Sequence, residues 1–223
     1  RRAYAVRTLL QHGADPCYVH PRHATALLEW MLKRTADART LGIVQLLSAH
    51  GAKRPWLRWG NRVPMELQTA LSYAPEGSHV HELVAWVERT WDWCSPLHHV
   101  EMLSPERTLQ LLHSGARISA RLEPACCRPM DPPPRTPVDV ARELLETGEY
   151  CEGSAPWLLA QAAEPWSPKR HRYFPPGVRA QVPFLLLVGK AVARGAGGFK
   201  PFCGLEDVWL QHVLPFVIEW DLP

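Results

Sequence analysis

The chain has 223 residues, 46% of them hydrophobic and 21% charged, which fits a folded globular chain and excludes a disordered one. Its formal net charge is +3, from 25 basic and 22 acidic residues, too small an excess to argue for a nucleic-acid partner. No apolar run approaches the ~20 residues of a membrane span, and the longest, Val182 to Val188, contains Pro183.

In chain order, the first predicted helix ends at Leu9-Leu10-Gln11-His12-Gly13-Ala14, and Asp15-Pro16 then starts a turn. Glycine stops a helix because it takes the left-handed conformation cheaply. Thr25-Ala26-Leu27-Leu28 opens the next helix, and Leu46-Leu47-Ser48-Ala49-His50-Gly51-Ala52 repeats the ending. Val63-Pro64-Met65-Glu66 opens another with Pro but no capping hydroxyl. A helix over His79 to Thr90 lacks the Leu-Leu-Gly ending and runs into Trp91-Asp92-Trp93. Ser95-Pro96-Leu97-His98 places a capping hydroxyl before a Pro and an apolar residue. Leu111-Leu112-His113-Ser114-Gly115-Ala116 is the third ending, and Thr136-Pro137-Val138-Asp139 is a further start. Ser or Thr accepts a bond from an orphan N–H at a helix start, and Pro there has no N–H to orphan.

The spacing of these signals is regular. The glycines at 13, 51 and 115 are separated by 38 and 64 residues, the second being twice 32. The Pro or Ala positions 26, 64, 96 and 137 step by 38, 32 and 41. Starts and ends therefore interleave at a period of roughly 33 residues.

Ser95-Pro96-Leu97-His98-His99-Val100 resembles the Thr-Pro-Leu-His-x-Ala signature of the ankyrin repeat. Val44-Gln45-Leu46-Leu47-Ser48-Ala49-His50-Gly51-Ala52 resembles its second-helix ending. The resemblance covers residues 1–164 and implies about five repeats, near 1–16 (an outer helix alone), 21–54, 61–93, 94–120 and 131–164. The third is degenerate, and the insert Ala120 to Arg135, with Cys126-Cys127 and Pro132-Pro133-Pro134, departs from the pattern. The implied fold is all-α, a solenoid of stacked helix-turn-helix hairpins with a helical carboxy-terminal cap. His98 falls at the signature histidine, whose ring bonds backbone between hairpins in that family.

Residues 165–223 read as a separate helical extension. Trp166-Ser167-Pro168-Lys169-Arg170-His171-Arg172-Tyr173-Phe174-Pro175 cannot form a regular helix. A helix over Val178 to Arg194 follows, then the flexible link Gly195-Ala196-Gly197-Gly198, then an amphipathic helix from Glu206 to Leu214. The run Trp-Ser-Pro-x-x-His-x-x-Phe-Pro resembles an extension seen after ankyrin arrays in some proteins of unicellular eukaryotes. A solenoid needs its last apolar face covered. Trp166, Phe174, Leu185, Leu186 and Leu187 are therefore expected to pack on the last repeat. The alternative is a recruitment element, because Gly204 to Val217 loosely resembles the opening of an F-box, without its leading Leu-Pro.

Catalytic and metal chemistry find little support. The six Cys form no Cys-x-x-Cys pair and read as free thiols in a reducing compartment. Cys94, His98 and His99 are close in sequence, but no second ligand pair sits at zinc spacing. A Cys94–His98 pair would lack an orienting group and an oxyanion element. Glu143 and Glu146 read as a solvated face. Lys169, Arg170, His171 and Arg172 stand among aromatics as in single-strand binders, although buried aromatics in a solvated loop account for them as well.

The expected function is recognition of a protein partner through the ankyrin groove and hairpin loops, with no enzyme activity, cofactor, metal, nucleic acid or membrane involved. The alternative is a substrate adaptor of a cullin-type ubiquitin ligase, recruiting ligase subunits through the carboxy-terminal helices. An intracellular location, cytoplasmic or nuclear, is expected. Such surfaces bind through a few aromatic or Arg anchors. The candidates are Trp30 on a first helix, Trp56, Arg58 and Trp59 in a hairpin between repeats, and Trp91 and Trp93 after the degenerate third repeat.

Overall fold

In the computed structural model, residues 2–19, 28, 31, 40–52, 63–121, 133–194 and 205–218 are described. Among them, every regular element is helical. The chain forms two compact units. Unit 1 comprises Arg1–His99 with Ala120–Thr136, and unit 2 comprises Val100–Ser119 with Pro137–Pro223.

Unit 1 contains α1 (Arg2–Gln11), α2 (Thr40–Ala49), α3 (Met65–Tyr73), α4 (His79–Arg89) and a 3-10 turn, Pro96–His99. The run TLGIVQLLSA is apolar around most of its circumference, so α2 is the central element, packed against α1, α4 and the 3-10 turn. The amphipathic α4 turns Leu83, Val84, Trp86 and Val87 inward and packs on both α2 and α3. Their shared core holds Leu47 and Leu67, both fully buried. Each such leucine contributes roughly 1.5–3 kcal/mol of transfer free energy.

Unit 2 contains α5 (Pro105–His113), α6 (Pro137–Glu146), α7 (Ala155–Ala163), a 3-10 turn (His171–Tyr173) and α8 (Pro176–Ala193). It ends with α9 (Leu205–Val208), a π-helical turn (Trp209–Val213) and α10 (Leu214–Val217). Ser104 caps α5 by accepting a bond from the Arg107 N–H at 3.2 Å, with Pro105 at the first helical position. Such a cap contributes about 1 kcal/mol. α7 packs against both α5 and α6, and the His171–Tyr173 turn rests on α5 and α7.

The three Leu-rich endings close alike. Gly13, Gly51 and Gly115 have φ of +88°, +95° and +80°. The N–H after each glycine reaches back five residues, from Ala14 to Leu9 at 3.0 Å, Ala52 to Leu47 at 2.9 Å and Ala116 to Leu111 at 3.0 Å. The glycine N–H itself bonds three residues back, to Leu10, Ser48 and Leu112. This is the Schellman cap, and it requires a left-handed residue at the glycine position.

The extension folds as a helix over Pro176–Ala193 and a second helical segment from Leu205, close to the bounds expected. Trp166 and Phe174 are buried with Val182, Leu214 and Ile218 in a common core. Leu185 joins it partly, but Leu186 and Leu187 remain 38% and 66% exposed, contrary to expectation. The reason is helical geometry. Positions 178, 182, 185 and 189 share the covered face of α8, and 186 and 187 turn away from it. The link 195–198 lies outside the described residues.

Candidate functional site

Three features of the described chain could bear on function: a buried polar knot in unit 1, an open face on α3, and the docked extension of unit 2.

The knot forms where the chain after α4 meets the residues before Thr136. The Asp92 carboxylate is almost wholly buried. Arg135 grips it three times at 2.9 Å: its backbone N–H and Nε donate to Oδ2, and Nη2 donates to Oδ1. Nη2 also donates to the Arg89 carbonyl. Burial pushes the Asp92 carboxyl upward, but the Arg135 hydrogen bonds and charge override it and hold the carboxyl below its ordinary value.

His98 lies beside this pair with no solvent exposure. Its Nε2 sits 3.0 Å from the Arg135 carbonyl, and its Nδ1 accepts the Ser95 N–H at 3.2 Å. That pairing selects the neutral tautomer with the proton on Nε2. Burial is the main cause that lowers the His98 pKa, against the Arg135 carbonyl and the Asp92 charge. Trp93 stacks on His98 at 6.2 Å, and His99 lies between Trp86 and Trp93 at 5.9 and 4.8 Å.

This arrangement fixes structure and offers little chemistry. Both His98 nitrogens are committed to backbone, leaving no lone pair for a metal or a substrate proton. Burial pushes the neighbouring Cys94 thiol up, the opposite of what a nucleophilic cysteine needs. Among the described residues, no three His, Cys, Asp or Glu side chains are placed to hold a metal ion, and no helix is long and apolar enough to cross a membrane.

The expected anchors fall differently. Trp91 and Trp93 are 6% and 5% exposed, so they are core residues and present no anchor at the surface. The Trp93 ring is covered by the aromatic stack with His98 and His99, which a linear reading does not reveal. Trp30, Trp56, Arg58 and Trp59 lie outside the described residues.

An open surface sits instead on α3. Leu67 is buried and Leu71 half-buried on its covered side, while Met65 and Tyr73 are 70% and 85% exposed. Thr69 lies between them, so residues 65, 69 and 73 form one stripe at helical spacing. The alternation of Leu67 and Leu71 with outward Met65, Thr69 and Tyr73 was available in the sequence as the signal for this face.

In unit 2, the aromatic and basic run at 166–174 is packed down. Trp166 Nε1 donates to His171 Nδ1 at 3.3 Å, Arg170 bonds the Gln161 side chain and the Pro165 carbonyl, and His113 Nε2 lies 2.8 Å from the Arg172 carbonyl. Tyr173 packs edge-on against Trp157 at 6.2 Å. With Trp166, Tyr173 and Phe174 all buried, the run presents no row of base-stacking rings.

No known protein family, characterised protein or solved structure matches the chain.

Proposed function

We propose that the chain is an ankyrin-type repeat scaffold that recognises a protein partner, with its extension serving as a cover for the last helices. The repeat reading rests chiefly on the bonding of His98. The histidine of one start signal, Ser95-Pro96-Leu97-His98, bonds the carbonyl of Arg135, which immediately precedes the next start signal, Thr136-Pro137. A histidine that ties successive start signals through backbone is what the signature implies. The three identical Schellman endings are a second support.

The recognition reading rests on α3. A tyrosine and a methionine held open on one helical stripe are ordinary binding anchors, tyrosine above all. Under this reading Met65 and Tyr73 join Trp30, Trp56, Arg58 and Trp59 as contact residues. The free thiols of Cys17, Cys94 and Cys151 suit the reducing interior of a cell.

The adaptor alternative needs the carboxy-terminal helices available to ligase subunits. Leu214 and Ile218 are buried with Trp166 and Phe174, and Trp209 seats on Gly189. This favours the cover over the recruitment element. Affinity purification of three forms separates the two: the natural chain, Met65→Glu with Tyr73→Ala, and Val208→Glu with Val217→Glu on the exposed side of the last helices. The scaffold reading expects partners to be lost only from the α3 variant. Selective loss of ligase subunits from the tail variant would replace it with the adaptor reading.

A further inference from the structure

Among the described residues of unit 2, none covers the outward face of α8, and its chemistry is one-sided. Positions 180, 183, 184, 187 and 191 share a stripe at i, i+3, i+4 and i+7 spacing. Phe184 and Leu187 stand 68% and 66% exposed on it, with Pro183 also exposed. Lys190 and Arg194 continue the stripe at its carboxy-terminal end, both exposed.

The charge on α8 is equally one-sided. Its charged side chains are Arg179 and Lys190, with Arg194 at its carboxy-terminal cap, all of them basic. The nearest acidic side chains in sequence beyond it, Glu206 and Asp207, belong to α9, which packs against α8. Among the described residues, Arg179, Lys190 and Arg194 have no ion-pair partner.

From this geometry we infer that the outer face of α8 docks on an anionic lipid surface, with Phe184 and Leu187 entering the headgroup–acyl boundary. Lys190 and Arg194 lie at the phosphate level. A helix exposes its stripe as a convex ridge, and large side chains projecting from a ridge fit a deformable surface without needing a preformed pocket. Long basic side chains beside the ridge let their stems lie in the apolar layer while their charges reach phosphate. The attraction falls with salt, because about 1 kcal/mol per basic residue, or roughly five-fold in binding, comes from the surface potential. α8 is not long and apolar enough to cross the bilayer, so the association is peripheral and reversible.

The test is co-sedimentation of the full chain with vesicles of phosphatidylcholine alone, or with about 30% phosphatidylserine, at low and high salt. The expected result is binding to the serine-containing vesicles that weakens on raising salt. Lys190→Glu with Arg194→Glu should weaken it by at least about thirty-fold. Leu187→Glu, and separately Phe184→Glu, should also abolish it, and both positions are exposed enough to leave the helical circular dichroism unchanged. Absence of binding by the natural chain overturns the inference, as does undiminished binding by the Leu187 and Phe184 variants. If vesicles fail but a photoreactive group at 187 captures a protein, the ridge serves a protein partner and the lipid assignment is likewise overturned.

Discussion

Replacing Arg135 with Ala should cost about 3 kcal/mol of unfolding free energy, the low end for stranding one half of a buried ion pair. The low end applies for two reasons. The Arg135 backbone N–H survives the substitution and still donates to Oδ2, and the arginine side chain is 29% exposed against 3% for that of Asp92. Asp92→Ala should cost less, about 1–2 kcal/mol, because the freed guanidinium can turn to water. The double variant should then lose at least about 1 kcal/mol less than the two single losses together. The pH dependence has a definite sign. The folded Asp92 carboxyl lies below its ordinary value of 3.8, so its contribution is complete above that pH and is lost as pH falls through the folded value. The gap between the natural chain and Arg135→Ala should therefore narrow in acid. Urea unfolding read by tryptophan fluorescence measures all of this, since Trp86, Trp91 and Trp93 lie in the same unit. A loss below about 1 kcal/mol for Arg135→Ala, or strict additivity, would refute the reasoning that this pair locks the two chain segments.

Three further outcomes are expected. Gly115→Ala should destabilise by about 1–2 kcal/mol, because its φ is +80° and the cost is conformational, no atom lying near the added Cβ; a thermal melt unchanged from the natural chain would contradict it. Gly189→Ala should loosen the last helices, because the added Cβ would lie 2.5 Å from Trp209 Cγ. The indole must shift, and its 3.1 Å bond to the Leu185 carbonyl goes with it, at about 1–3 kcal/mol; faster hydrogen exchange confined to residues 205–218 is the sign to seek. His98 is held neutral with its pKa below the ordinary 6.5, so unfolding takes up a proton and stability should fall as pH drops below that value. His98→Gln should flatten this pH dependence, and an unaltered slope would mean that His98 is not its source.

What the sequence made legible follows from how local the determining chemistry is. Helix ends at Gly13, Gly51 and Gly115 could be read because a Schellman cap is fixed within six residues. The start at Thr136-Pro137 could be read for the same reason, as Pro at the first helical position needs no distant partner. The grip of Arg135 on Asp92 could not, since 43 residues separate them and the arginine sits in a stretch that breaks the repeat pattern. Burial of Trp93 has no local signal because it depends on stacking with His98 and His99, which only the folded turn brings together. The exposure of Leu186 and Leu187 was hidden for a different reason. α8 is apolar on nearly every side, so its composition does not tell which face is covered. The π-helical turn at Trp209–Val213 likewise has no local signal, as it arises where Trp209 must seat on Gly189 while Leu214 reaches the core.

The most direct test of partner recognition places a photoreactive phenylalanine at position 73, the most exposed aromatic on α3, and irradiates the full chain in native lysate. The expected result is a discrete adduct to a protein that saturates with added lysate, is competed by the unlabelled natural chain, and is not competed by the chain carrying Met65→Glu. A diffuse set of adducts, or one that the Met65→Glu chain competes equally well, would contradict it.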